Sequence, residues 1–397
     1  MRIWHVSSAR SPHSLDAVNS VVWSLASAQA AAGHDVLVVV SDRPDHDSAA
    51  AARRLGVTIL HIPCTKYQFD PRTLMDALHD DKPDVVHLHS VFVPRLATLA
   101  RTLAQCQIPY VLTPHGGLGT QTAGWRKHLK TIYSALVERP RFRRASAITL
   151  VTPTEEQQIR HFIPGYREAM KWIPNPVSVD PTGTHGWLAA TGSRKLVFLG
   201  RFDVENGGVE QLFQIARHLP AVEVHLYGET DSRRNDDVLF ELKRNTPANV
   251  FFHDPVYGAA KAEVLAGATM YLQMSRGEGF PVSVTEAMSL GTPCAISENV
   301  DIAPMFKKQD LGLLLPSTPK DAATKIAWAM DHAERLHDWS SHGLAYAQAH
   351  LHPDKAAADY LRVYKSAMPM RRPSKLLEPL NYVATRVGEL AALGLGL

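Results

Sequence analysis

Two spacings of apolar residues alternate along this chain. Short runs rich in Val, Ile and Leu, at residues 3–6, 36–40, 57–62, 84–89, 110–113 and 147–151, have the length of strands. Between them, residues 17–32, 71–79, 94–106 and 125–136 carry apolar positions every three or four residues, the helical spacing. Strand runs that are apolar throughout belong to strands covered on both faces, so the pattern predicts a parallel sheet flanked by helices. The alternation stops in a stretch rich in Pro, Gly, Ser and Thr that ends at residue 193, then resumes with strand-like runs at 195–199, 222–227, 250–253, 269–274, 294–297 and 311–315. From about residue 320 onward the pattern is mainly helical, and residues 374–397 are weakly amphipathic.

The expected organisation is α/β, with two Rossmann-like doubly wound domains at residues 1–178 and 194–365, a linker at 179–193 and a helical tail at 366–397. A length of 397 residues suits two domains better than one. Such sheets bind ligands beyond the carboxyl ends of their strands, so two of them facing each other imply a cleft lined by the loops that follow strands.

Composition narrows the function classes. Apolar residues at 45% and charged residues at 20% describe a globular chain, and a formal charge of +3 gives no general case for a nucleic-acid partner. Cys64, Cys106 and Cys294 form no CxxC pair and are odd in number, which predicts neither a disulfide framework nor a zinc site and fits a reducing, cytoplasmic compartment. The opening MRIWHVSSARSP has no signal-peptide core, and no stretch has the roughly 20 apolar residues of a membrane span. There is no GxxxxGK[ST], and HGGLG at 115–119 lacks the third glycine of GxGxxG, so P-loop and dehydrogenase readings lose their main support.

The most informative segment is SRGEGFPVSVTEAMSLGTP at residues 275–293. It follows an apolar strand, turns at Gly277 and Gly279, and predicts a helix with Pro281 at its first position, where the missing N–H is no loss. Unpaired N–H groups at a helix start are a seat for phosphate or sugar hydroxyls. Glu278 in the turn and Glu286 one turn into the helix set two carboxylates toward different parts of one ligand.

With seven residues between Glu278 and Glu286, this segment resembles the retaining glycosyltransferases of family 4, whose fold is GT-B. The resemblance implies two facing Rossmann-like domains with a C-terminal helix crossing back to the first. It implies a catalytic set of His115, Glu278 and Arg201, and a donor site of Arg201, Arg276, Glu278, Gly279, Phe280, Pro281, Val282 and Glu286. In the family the first Glu meets the donor sugar and the second the ribose. LGRFDVENGG at 199–208 resembles the Gly-Arg loop whose Arg, with a following Lys, holds the diphosphate; Arg201 matches, but the Lys position is Asn206 or Gly207. Arg276 is a candidate to replace that cation. TPHG at 113–116 resembles the segment whose His faces the donor sugar's reactive side.

His87 and His89 match an HxH strand of the family, with structural or cleft-lining roles favoured over a metal pair, and His89 is expected on the acceptor side with Asp16 and Ala17. Asp16 and Ala17 stand where relatives often carry a Gly-Gly pair. WIPNP at 172–176 resembles an interdomain turn, and residues 299–304 weakly resemble a loop near the diphosphate. Asp45-His46-Asp47 is a D-x-D triplet of the kind chance supplies. The chemistry implied is front-face transfer from a UDP- or GDP-sugar to a saccharide or lipid-linked hydroxyl, with no metal, cofactor or protein nucleophile.

Residues 125–144 carry Arg126, Lys127, Lys130, Arg139, Arg141, Arg143 and Arg144 against Glu138 alone, interleaved with aromatic and aliphatic positions. The segment reads either as a surface for anionic membrane or a lipid-pyrophosphate acceptor, at the inner face of the cell membrane, or as an ordinary helix with solvated cations. The missing Lys and Gly pair keep open a degenerate, non-catalytic GT-B protein that binds a nucleotide or a partner enzyme. A sugar-nucleotide epimerase on the same fold is the weaker alternative.

Overall fold

The computed structural model describes residues 1–9, 17–118, 131–177, 187, 194–202, 208–229, 240 and 243–368. Every strand expected from the apolar runs forms. In the first half these are β1 (Arg2–Val6), β2 (Asp35–Val40), β3 (Thr58–His61), β4 (Val85–His89), β5 (Tyr110–Thr113) and β6 (Ala147–Leu150), joined by a two-residue β7 (Lys171–Trp172) that no apolar run signals. The second half contributes β8 (Lys195–Leu199), β9 (Glu223–Tyr227), β10 (Val250–His253), β11 (Met270–Gln273), β12 (Cys294–Ser297) and β13 (Gly312–Leu315). All pairings between these strands are parallel, in the orders β3-β2-β1-β4-β5-β6-β7 and β10-β9-β8-β11-β12-β13. Each sheet therefore reverses its winding once, between β1 and β4 and between β8 and β11, and the crevices at those reversals are the ligand positions of doubly wound sheets.

Local chemistry accounts for the helix boundaries. Asp45 caps the helix His46–Arg54 by accepting from the Ser48 amide at 2.7 Å, which gives the D-x-D aspartate a structural role. Asp70 does the same for Pro71–Asp80 through the Thr73 amide at 2.9 Å. In the basic segment the helix widens over Ser134–Glu138 before continuing as Arg139–Arg144. Pro140 has no N–H to return to the Leu136 carbonyl, and the Arg139 amide reaches back to Ser134 instead.

The helix Pro353–Ala367 buries Ala356, Ala357, Tyr360, Val363, Tyr364 and Ala367 along one stripe. That stripe packs on the helix Ala17–Ala31 and on β1 and β2 residues of the first half. The crossing helix expected from the resemblance is present. The expected second-domain limit of 365 is corrected by it, because Tyr360 and Tyr364 are wholly buried in the first domain's core rather than the second's. Small alanines on both helices let the backbones approach closely, so apolar burial holds this helix on the first domain. Most of the expected linker and the tail beyond residue 368 lie outside the described residues; Trp187, within the linker, is hydrogen-bonded through its indole N–H to the Ala268 carbonyl at 2.8 Å.

Candidate active site

The two halves meet where the turn after β5 faces the turn after β11. His115 adopts φ +53° and Gly116 φ +75°, a left-handed pair that ends the strand abruptly. A Cβ built on Gly116 would stand 2.9 Å from the Gly279 Cα, and one on Gly279 would stand 2.7 Å from the Gly116 Cα. His115 and Glu278, each adjacent to one of these glycines, therefore flank a single point between the domains.

Hydrogen bonds close the same boundary. Thr154 donates to the Asp301 carbonyl at 3.1 Å and Gln158 to its carboxylate at 3.2 Å, while the Asp301 amide donates to the Glu278 carbonyl at 2.9 Å. Thus the 299–304 loop, weakly expected near the diphosphate, joins the first domain's helix Thr154–Phe162 to the Glu278 turn. On the first-domain side, Glu155 accepts from the Gly116 amide at 2.5 Å and the Val151 amide at 2.6 Å. Burial raises the Glu155 carboxyl above its ordinary range, opposed by these amides. Phe280 is buried in a cluster with Val151 and Val177 of the first half, so its side chain is packing.

On the second-domain side, Glu278 Oε2 accepts from Ser275 Oγ at 2.7 Å and Gln273 Nε2 at 2.9 Å. Burial raises its carboxyl, and the two donors and the Arg201 charge pull it back down. Arg201 follows β8 and is exposed. The helix runs Val282–Ser289, so Pro281, expected at its first position, is the residue before it. Glu286 is buried on that helix and accepts from Lys261 Nζ at 2.5 Å. Arg276, the candidate replacement cation, is ion-paired with Glu210 in the first turn of the helix Val209–His218. Asn206, Gly207 and Asp16 lie outside the described residues, and Ala17 is an exposed helix start.

His89 corrects an expectation. It is wholly buried, 0% exposed, and so lines no acceptor surface. β1 and β4 are neighbours with His5 opposite His87, and His89 lies two residues on, on the same face. His89 Nδ1 is 2.9 Å from His115 Nε2 and its Nε2 is 3.0 Å from His5 Nδ1. His5 Nε2 continues to Gln29 Oε1 at 2.9 Å, and the Gln29 amide to the Tyr364 hydroxyl at 3.4 Å. That hydroxyl meets His87 Nδ1 at 2.7 Å, and His87 Nε2 meets Thr113 Oγ1 at 2.7 Å. Burial pushes His5 and His115 down to about 4 and holds His87 and His89 well below the usual histidine range, so all four rings are neutral at pH 7. His87 is likewise wholly buried.

Sequence reasoning missed His5, Gln29, Glu155, Lys261 and Tyr364. The strand RIWHV carried the only local signal, a histidine at an otherwise apolar strand position. The basic segment also divides. Arg141 is buried, bridging Glu138 at 3.2 Å and the Ser90 carbonyl at 3.0 Å, whereas Arg143 and Arg144 are exposed, as are Ile132 and Leu136.

The family comparisons agree with this geometry. Residues 16–176 match the glycosyl transferase 4-like domain and residues 193–332 match the glycosyl transferases group 1 domain, so the two together take in most of the chain. The phosphatidyl-myo-inositol mannosyltransferase of Mycobacterium tuberculosis is 25% identical over 328 residues, 78% of this chain and 82% of that protein. Its counterpart in Mycolicibacterium smegmatis is 26% identical over 360 residues, covering 83% and 89%. Among solved structures, a sucrose-phosphate synthase from Thermosynechococcus elongatus superposes with a TM-score of 0.75 at 17% identity, over 93% of this chain and all of that one. Anabaena HepE, in complex with UDP and glucose, gives 0.72 at 14% identity, over 92% of this chain and all of that one. No helix among the described residues is long and apolar enough to cross a membrane. Two matched halves, the parallel sheets and the meeting of the turns beyond their carboxyl ends lead to one assignment: the chain belongs to the group 1 glycosyltransferases and has the GT-B fold.

Proposed function

We propose that this glycosyltransferase moves a hexose from a UDP- or GDP-sugar to a saccharide or lipid-linked hydroxyl with retention of configuration. The observation that carries the reading is the approach of Gly116 to Gly279, because it brings His115 and Glu278 to either side of one closed point. The relatives support the substrate classes: two are phosphatidyl-myo-inositol mannosyltransferases, and HepE holds UDP and glucose.

In this reading Glu286 takes the ribose hydroxyls in place of Lys261, and Arg201 with the amides of Gly279, Phe280 and Val282 neutralises the diphosphate. Glu278, fixed by Ser275 and Gln273, orients the sugar. The diphosphate leaves, positive charge builds on the anomeric carbon, and the acceptor hydroxyl attacks on the same face while the leaving phosphate takes its proton. Domain closure excludes water and limits donor hydrolysis. Neither a metal nor a protein nucleophile enters this scheme.

Ile132 and Leu136, exposed near Arg143 and Arg144, support contact of residues 125–144 with an anionic lipid face on the cytoplasmic side. The absent loop Lys at Asn206 or Gly207 favours a second reading, a GT-B protein that binds nucleotide without turnover. Calorimetry with UDP, GDP and ADP, followed by assay of nucleoside diphosphate release, separates the two. Release only when an acceptor is present supports transfer; binding without release supports the second. Retained nucleotide binding in Glu286→Ala would refute the ribose assignment.

A further inference from the structure

The helix Thr154–Phe162 belongs to the first domain, and its first residues touch both of the turns that meet across the domains. Thr154 and Gln158 are four residues apart and so stand on one face of the helix. Both reach the same residue of the second domain: the Thr154 hydroxyl donates to the Asp301 carbonyl at 3.1 Å and the Gln158 amide to the Asp301 carboxylate at 3.2 Å. Glu155, about 100° further round the helix, accepts from the Gly116 amide of its own domain, next to His115.

Asp301 passes this hold on. It lies in the loop between β12 and the helix Ala303–Gln309, and its own amide donates to the Glu278 carbonyl at 2.9 Å. Its amide is thus spent on the Glu278 turn of its own domain, and its carbonyl and carboxylate on the helix of the other. The neighbours Val300 and Ile302 are buried in the cluster that takes in Phe280 together with Val151 and Val177 of the first half. Apolar burial draws these surfaces together but is non-directional, whereas hydrogen bonds depend on angle and distance and so select one register. The contact with Gln158 requires an acceptor rather than a negative charge, because Glu155 is a second carboxylate near enough for the two charges to oppose each other.

We infer that Asp301 is a positioning residue: gripped by Thr154 and Gln158 when the domains meet, it fixes the Glu278 turn in register with the His115 turn, so that Glu278 is set for reaction only in the closed arrangement. The use made of Glu278 rests on the functional reading above; the coupling of the two turns through Asp301 does not.

The test uses the full chain, with substitutions on the first domain's side so that any effect at the Glu278 turn has crossed the boundary. Hydrogen exchange read by mass spectrometry is expected to show amides in residues 277–282 and 299–303 exchanging severalfold faster in Thr154→Val and Gln158→Met, with β8 and β9 unchanged. Asp301→Ala keeps the amide that holds Glu278 and loses the grip on Gln158. It is expected to lower kcat about tenfold, and Gln158→Met severalfold, with the Kd of UDP or GDP within about twofold of wild type. The double variant Gln158→Met with Asp301→Ala is expected to lose no more than Asp301→Ala alone, and Asp301→Asn, which keeps an acceptor for Gln158, to recover most of kcat. If Asp301→Ala does not fold, the two first-domain variants carry the kinetic test.

Unaltered exchange at the Glu278 turn in both first-domain variants overturns the coupling, whether or not a donor is turned over. Faster exchange with unchanged kcat upholds the coupling and overturns the positioning role. Additive losses in the double variant, or equal losses in kcat and nucleotide affinity, also overturn that role, because Asp301 then serves its own domain rather than the contact. A wild type that turns over no donor refutes the functional reading, and the exchange result still decides the coupling.

Discussion

Gly116 and Gly279 come from different domains, yet each occupies the space that a side chain on the other would need, at 2.9 and 2.7 Å. The closed arrangement of the two turns is therefore a property of two missing methyl groups. Gly279 is the cleaner of the two to probe, since Gly116 also has φ +75° and any side chain there is strained for a second reason.

Gly279→Ala is expected to fold normally and to lose activity, because the added Cβ holds the turns apart. A fall in kcat/KM of at least about tenfold, or roughly 1.4 kcal/mol, is expected. Small-angle scattering with nucleotide bound should show a wider average separation of the domains. Wild-type turnover in this variant would remove the role given to the contact.

Glu155→Gln tests how the His115 turn is held. The carboxylate uses one oxygen for the Gly116 amide and the other for Val151, whereas a carboxamide has a single acceptor. One buried N–H is left facing an NH2 group, at a cost of about 1–3 kcal/mol. Denaturant midpoints should fall accordingly, and kcat should drop more than nucleotide affinity. Equal losses in both would mean that Glu155 supports the fold generally rather than this turn.

The Arg276–Glu210 pair bears on the missing loop cation. If Arg276 serves the diphosphate, Glu210→Gln releases it and nucleotide should bind more tightly by severalfold, with a steeper salt dependence. Arg276→Ala should weaken binding, though less than Arg201→Ala. Unchanged affinity in both Arg276→Ala and Glu210→Gln rules the substitution out.

Acid stability follows from the neutral histidines. In the unfolded chain a histidine titrates near 6.5, while His5 and His115 in the folded chain are pushed down to about 4 and His87 and His89 lie well below the usual range. Between those values the unfolded chain binds protons that the folded chain does not, so stability is full above about 6.5 and declines as pH falls toward 4. For His5 alone the loss amounts to roughly 3 kcal/mol. The raised carboxyls of Glu155, Glu278 and Asp301 act in the opposite sense, since acid favours their folded, protonated form. Four rings against three carboxyls, of which Asp301 is the least buried, predict a net loss. Unfolding free energies that stay level between pH 7 and 4.5 would contradict the buried, neutral assignment.

Much of this protein was legible in its sequence. Twelve strands follow from apolar runs because a strand covered on both faces is apolar at most positions, a constraint local enough to read one residue at a time. The turn ending in His115 and the turn holding Glu278 and Gly279 are legible for a similar reason, since tight turns after strands demand particular residue types within a few positions. The two-residue β7 is too short to leave such a pattern.

What sequence could not decide is which distant groups share a hydrogen bond. His89, expected at the acceptor, is enclosed because β4 lies between β1 and β5, and that order is a property of the whole sheet. Gln29 and Tyr364 stand 335 residues apart and meet only because the last described helix returns across the first domain. The Phe280 side chain belongs to packing and Arg141 to an internal ion pair for the same reason. Composition and periodicity act through neighbours along the chain, so they determined the two sheets and their loops. The hydrogen-bonded ring cluster behind His115 and the closure at Gly116 depend on donors, acceptors and empty volume brought together from separate elements, and only the tertiary structure decided those.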